Sequence, residues 1–267
     1  MRTNTLLARR ALVWAIWSVL ALGIACVWLT NSPRMHLGTA ALAAEMSQEE
    51  FEQRVRSYLL EHPEVLGEAL NRLEAKQVEQ EAAAARAVLK DRAAEVFQDP
   101  ASPISGNTNG EVTLVEFFDY NCPYCRAMAP LLTQAEVADP RLRIVYKEFP
   151  ILGAGSVFAA KAALATNKQG KYVTFHRALY QLRGPVDEAK VLEVAANVGL
   201  DIQRMKADMQ DAAIQGALEK NVKLAKKVRI TGTPGFVVGD QISTGATDFD
   251  GLQALIAKGR SGQTNTK

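Results

Sequence analysis

Leu114-Val115-Glu116-Phe117-Phe118-Asp119-Tyr120-Asn121-Cys122-Pro123-Tyr124-Cys125 is the stretch that decides how this chain folds. From Val112 to Tyr120 it is apolar and rich in β-favouring residues, the pattern of a buried strand. From Arg126 to Leu132 a helical pattern takes over. Cys122 therefore stands where a strand hands over to a helix N-terminus. Unpaired N–H groups and the positive end of the helix dipole stabilise a thiolate there, and a thiolate is the nucleophile of disulfide exchange. Cys125, three residues on, lies one turn along and can close a small disulfide with it. Pro123 and Tyr124, set between the sulfurs, bear on the redox poise of the pair. The spacing points to redox chemistry, not scaffolding.

Two more features join this stretch. Glu116 is an acid six residues before Cys122, inside an otherwise apolar run. Far downstream stands Ile230-Thr231-Gly232-Thr233-Pro234-Gly235-Phe236-Val237-Val238, with Thr-Pro immediately before a β-rich run. With the helical segments between them, these motifs resemble the DsbA-type thiol:disulfide oxidoreductases of the thioredoxin superfamily, over roughly residues 111–258. Residues 46–77 are similar to the N-terminal helical extension of copper-sensitivity-suppressor-like periplasmic oxidoreductases.

The resemblance implies an α/β, thioredoxin-like fold with a helical insertion at about 154–228, preceded by an N-terminal α-helical extension. It implies catalytic roles for three residues. Cys122 forms the mixed disulfide, Cys125 resolves it, and Glu116, buried beneath them, moves a proton to or from the second thiol. It implies that Thr233–Pro234 is a cis peptide facing the cysteines, where Thr233 and Pro234 hold an extended client segment. No cofactor is implied. The implied partners are thiol- or disulfide-containing proteins and a membrane protein that resets the pair. The Pro123-Tyr124 dipeptide departs from the Pro-His of the family's best-known strong oxidase. Oxidase, isomerase and reductase directions therefore all stay open.

The composition narrows the alternatives. A net charge of +2, with no basic run interleaved with aromatics, argues against a nucleic-acid surface. Three cysteines do not make a disulfide framework, and a second CxxC or a nearby His pair for structural zinc is missing. The alternative of a different class is a periplasmic Cu(I)-binding or copper-tolerance protein, using the same two thiols with Met128 nearby, because soft sulfur selects that ion. His62 and His176 read as helix-packing or solvent-facing residues, and Lys147 and Glu148 as the charges of a strand end.

Residues 1–44 read as a signal peptide or a signal anchor. Arg2, Arg9 and Arg10 precede an apolar run at 11–29, and Ala41-Leu42-Ala43 offers a small-residue cleavage site. Cys26 lies in that run and reads as a small apolar residue rather than a lipidation site. Cleaved or anchored to the inner membrane, the folded part is expected outside the cytoplasm, in the periplasm, where disulfides persist. Residues 45–98 read as a helical extension, opened by a capping box at Ser47 to Glu50 and broken at His62-Pro63. It is either a solvated stalk or a homo-oligomerisation arm, and the resemblance favours the arm. Residues 99–110, rich in Ser, Pro, Gly and Asn, read as a linker. The catalytic domain is expected at 111–258, with a hairpin turning at Gly239-Asp240, and a disordered polar tail at 259–267.

Overall fold

A computed structural model describes residues 46–264. The expectations placed on residues 1–44, a leader with Cys26 in its apolar run, lie outside the described residues. Among the described residues no helix is long and apolar enough to cross a membrane. These residues fall into two compact units divided between Ala69 and Leu70.

Helix α1 (Gln48–Glu61) begins at an N-cap serine, the Ser47 hydroxyl accepting the Glu50 N–H at 3.1 Å. None of its residues is buried. His62 ends it, and Pro63 opens α2 (Pro63–Asp91), whose buried residues, Ala85 and Leu89, come late. The helical extension breaks again at Arg92, after which the short α3 (Ala93–Phe97) follows.

The second unit is built on a five-stranded sheet of order β1-β3-β2-β4-β5. Strands β2 (Val112–Phe118) and β3 (Leu142–Glu148) are parallel, joined over one face by α4 (Pro123–Ala138). Strands β4 (Gly235–Val238) and β5 (Gln241–Thr244) add antiparallel beside β2 as a hairpin. Its two-residue turn needs a positive φ at Gly239, here +59°. Helices α5 (Ala154–Asn167), α6 (Tyr172–Gln181), α7 (Glu188–Asn197), α8 (Ile202–Asp208) and α9 (Ala212–Lys227) fill the chain between β3 and β4, and α10 (Phe249–Thr264) closes it. The fold is thioredoxin-like α/β with a helical insertion. Along β2 the side chains alternate between two cores: Leu114 and Phe118 face one, Val115 and Phe117 the other.

Three expectations need correction. The stretch 99–110 is no simple linker, because β1 (Ile104–Gly106) lies within it and pairs antiparallel with β3, Ile104 opposite Val145. Three residues among Ser, Pro, Gly and Asn carry too short a pattern to read as a strand. The tail is not disordered from Gly259, since α10 runs on to Thr264. Gly259 is there for space: a Cβ on it would lie 2.3 Å from Val238 Cγ1, so the helix passes over β4 where only glycine fits.

Lys147 and Glu148 are not solvated strand-end charges. With β3 flanked by β1 and β2, both side chains are buried. Lys147 Nζ donates to the Glu95 carbonyl at 2.7 Å and to Asp99 Oδ2 at 3.3 Å, and Lys220 reaches the same carboxylate at 3.1 Å. Burial lowers the Lys147 pKa to about 8 against the pull of Asp99. Burial works to raise the Asp99 carboxyl too, but the two lysines and the Ala101 N–H outweigh it and hold the pKa below its usual value. Leu89 and Val96 pack under this pair in the same core as Val115, Phe117 and Val145. The sheet domain therefore includes the end of the helical extension.

Candidate active site

Strand β2 ends at Phe118, and three polar residues carry the chain to α4. The Asp119 carboxylate takes the N–H of Asn121 at 2.8 Å and those of Ile151 and Leu152 at 2.8 and 2.9 Å. It thus ties the start of this loop to the loop after β3. The Cys122 N–H closes a turn on the Asp119 carbonyl at 3.1 Å. Cys122 is the N-cap residue of α4, with Pro123 in the first turn, where a missing N–H costs nothing. Both cysteines are free thiols, and they are unequal: Cys122 is 4% exposed and Cys125 fully buried, while Tyr124 between them is 63% exposed.

The sheet brings the downstream loop to the sulfurs. Because β4 is antiparallel to β2, with Gly235 opposite Phe117, the residues entering β4 lie at the end where β2 delivers Cys122. The Thr233–Pro234 peptide is cis. The Cys122 thiol donates to the Thr233 carbonyl at 3.2 Å, across 111 residues of sequence.

Glu116 faces the core that holds Cys125. Both of its carboxyl oxygens are buried without a hydrogen-bond partner. Burial raises its pKa from 4.5 to about 8, since nothing nearby compensates the charged form. The Cys125 thiol is pushed far above its ordinary pKa, by burial first and by the charge of Glu116 second. The acid thus makes the thiol harder to ionise.

A second acid lies nearby, unannounced by the sequence. Glu148 Oε1 accepts the Tyr120 hydroxyl at 3.1 Å and the Tyr172 hydroxyl at 2.8 Å, and the Tyr120 oxygen lies 3.0 Å from His176 Nδ1. Burial raises the Glu148 pKa well above its usual value, against the two phenol hydrogen bonds. Burial lowers that of His176 to about 3, helped by Arg177. Tyr120 is thereby fixed two residues before Cys122. Met128 is buried, its Sδ accepting the Thr247 N–H at 3.4 Å. His62, the exposed residue between α1 and α2, has its Nδ1 3.0 Å from Glu64 Oε1.

The structure brings Cys122, Pro123, Tyr124, Cys125, Thr233 and Pro234 to one end of the two inner strands β2 and β4, with Glu116 on β2. What sequence reasoning missed is the polar handover Asp119-Tyr120-Asn121. Its signal was available: three hydrogen-bonding side chains leaving a buried strand must find partners nearby.

Residues 113–257 match the family described as DSBA-like thioredoxin domain, and residues 48–80 match that described as Copper resistance protein ScsC N-terminal domain. A thioredoxin-like oxidoreductase from Silicibacter pomeroyi DSS-3 is 44% identical, at a TM-score of 0.62, over 63% of this chain and 97% of its own. A linker-deletion mutant of ScsC from Proteus mirabilis is 29% identical, at a TM-score of 0.63, over 84% of this chain and 99% of its own. The Probable disulfide bond formation protein D of Bacillus anthracis is 26% identical over 182 residues, 63% of this chain and 83% of that protein. The chain also matches Na(+)/H(+) antiporters of two Salinispora species and spans about a quarter of their length. The match to the domain family covers more than half of the chain, over strands β2 to β5, the CPYC helix and the insertion, and this protein belongs to the DSBA-like thioredoxin-domain family.

Proposed function

We propose that this protein forms or isomerises disulfide bonds in exported proteins through Cys122 and Cys125. The observation that carries the reading is the set of contacts at the sulfurs. The more exposed thiol lies 3.2 Å from the Thr233 carbonyl, and the fully buried thiol shares its core with a partnerless acid. In the oxidase direction a client thiolate attacks Cys122 Sγ of the Cys122–Cys125 disulfide. The S–S bond breaks, a mixed disulfide forms on Cys122, and the electron pair leaves on Cys125, which takes a proton from Glu116. A second client thiolate then attacks the client sulfur of the mixed disulfide and releases Cys122. Two client thiols are oxidised, one protein disulfide is reduced, and two electrons cross.

A membrane partner then reoxidises the dithiol. In the isomerase direction the dithiol attacks a wrong client disulfide and is returned unchanged. The backbone of Thr233, held beside the attacked sulfur, supplies the edge along which an extended client segment aligns. Pro123 and Tyr124 bear on the redox poise from between the sulfurs. The cationic leader of the sequence, and the likeness to a periplasmic thioredoxin-like protein of Salmonella enterica, support an extracytoplasmic site of action.

The direction is read from an equilibrium with glutathione buffers. A reduction potential of about −120 mV identifies a donor of disulfides or an isomerase, and one of about −270 mV a reductant. A pair that never exchanges with glutathione, while still holding Cu(I), would replace this reading by the copper-binding one.

The helical extension acts as a homo-oligomerisation arm. Phe51, Val55, Tyr58, Leu66, Leu70 and Leu73 are all exposed in the single chain, apolar side chains repeated along two helices at a density that water disfavours. Deleting residues 46–80 is expected to reduce the particle mass, by light scattering, to that of one chain. An unchanged mass would dispose of the arm. The cut stops at 80 because Ala85, Leu89 and Val96 are buried in the sheet domain.

A further inference from the structure

Arg126, the residue after the second cysteine, is held in a way that the exchange steps above do not use. Its Nη1 donates to the carbonyls of Tyr180, at 3.2 Å, and of Leu182. Its Nη2 donates to the Gly184 carbonyl at 3.3 Å and, more weakly, to that of Tyr120 at 3.5 Å. All four acceptors are uncharged, and among the described residues the guanidinium makes no ion pair with a carboxylate.

The chain it grips is the irregular strap between α6 and α7. Every carbonyl from Leu182 to Val186 is taken by a side chain. Arg126 takes those of Leu182 and Gly184. Lys190 Nζ takes that of Arg183 at 3.2 Å and that of Pro185 at 2.6 Å. Asn121 Nδ2 takes that of Val186 at 3.1 Å, and Asn121 Oδ1 accepts the Val186 N–H at 2.7 Å. The strap is thus fastened to both sides of the CPYC sequence. It also has no slack against α5, because a Cβ on Gly155 would stand 2.5 Å from the Val186 carbonyl oxygen.

Backbone carbonyls orient a guanidinium without cancelling its charge, whereas a carboxylate would do both. The charge is also tied to the chain on either side of the reactive sulfur, since Arg126 is in the helix that Cys122 caps and its Nη2 reaches the carbonyl of Tyr120, two residues before Cys122, at 3.5 Å. Arg126 follows Cys122 by four residues along α4, which makes them neighbours on the helix surface, and its N–H bonds the Cys122 carbonyl at 3.1 Å. We infer that Arg126 is a positioning residue for redox poise: a fixed, un-neutralised positive charge, cradled by the strap, that raises the reduction potential of the Cys122–Cys125 pair by favouring a charged sulfur in the opened form. The inference rests on the thiol-exchange reading and adds to it the group that biases its direction.

The test compares the full chain with Arg126→Gln and Arg126→Lys, each equilibrated with mixtures of glutathione and its disulfide. In that equilibrium two glutathione thiols join as a disulfide, and their two electrons open the Cys122–Cys125 bond to two thiols, protons following. Arg126→Gln is expected to lower the equilibrium constant for opening about tenfold, a potential about 30 mV more negative. Arg126→Lys, which keeps the charge and loses the fork, is expected within threefold of the parent. A Gln variant within twofold of the parent, or a Lys variant shifted as far as Gln, overturns the inference, because grip on the strap and not charge would then be at work. Should Arg126→Gln not fold, Ala127→Glu replaces it, placing an opposing charge on the exposed neighbouring residue. A threefold or greater fall then supports the inference, and an unchanged constant overturns it. A parent chain that never equilibrates with glutathione is a separate outcome, which removes the exchange reading itself and this inference with it.

Discussion

Cys125→Ser is expected to stop turnover with the client still attached, and Cys122→Ser to stop it before the client attaches. The asymmetry follows from burial. An incoming thiolate must reach a sulfur along the S–S axis, and Cys122, at the helix N-terminus beside the Thr233 carbonyl, is the less buried of the two. When reduced Cys122 attacks a client disulfide, the thiol that can clear the resulting mixed disulfide from within is Cys125, one turn further along α4. A serine there lacks a nucleophile that can attack a disulfide, so covalent chain–client species accumulate on non-reducing gels. With serine at 122 the remaining thiol is fully buried, and exchange falls to the uncatalysed rate. An active Cys122→Ser protein would sink the assignment of both residues.

Glu116→Gln is expected to stabilise the protein at pH 8 and to leave it nearly unchanged at pH 4. The folded-state pKa of Glu116 is about 8, against an ordinary 4.5. A carboxyl raised on folding gives its full relative stability below the unfolded value, where both states are protonated. Between pH 4.5 and about 8 the unfolded chain releases the proton and the folded chain keeps it, so stability falls as pH rises. Each unit of that difference is worth about 1.4 kcal/mol, and the whole window on the order of 5 kcal/mol. Glutamine removes the slope. Urea midpoints of the two chains, measured across the window, give the difference directly, with the contribution of Glu148 common to both. Alongside, exchange rates should lose their dependence on this group. Rates for Glu116→Gln that match the parent at every pH would end its proton-transfer role while leaving the stability argument intact.

The parts of this site that were legible in the sequence are local ones. A strand that ends in CPYC and a helix that follows are neighbours along the chain, and a Thr-Pro before a β-rich run is a signal of a few residues. Glu116 stood out because an acid inside an apolar run must be either exposed or special. What was hidden depends on who sits beside whom. Lys147 and Glu148 looked like strand-end charges because nothing in the sequence says that β3 lies between β1 and β2. The contacts of Arg126 and Asn121 with residues 180–186 join positions 54 to 65 apart, and the residue types alone carry no trace of them. Gly259 read as a helix stop because its reason for being glycine, the side chain of Val238, belongs to another element.

The Lys147–Asp99 pair makes a point about cutting this chain. The exposed turn at 107–109 is the place a protease would choose, and composition marks it as the seam between extension and catalytic domain. Severing the backbone there would not part the pieces. The upstream fragment would stay docked by the β1–β3 ladder, by Leu89 and Val96 in the lower core, and by an aspartate shared between two lysines. In this protein a peptide-bond break and a domain border are different places, and the nicked second unit would hold together as a noncovalent two-fragment complex.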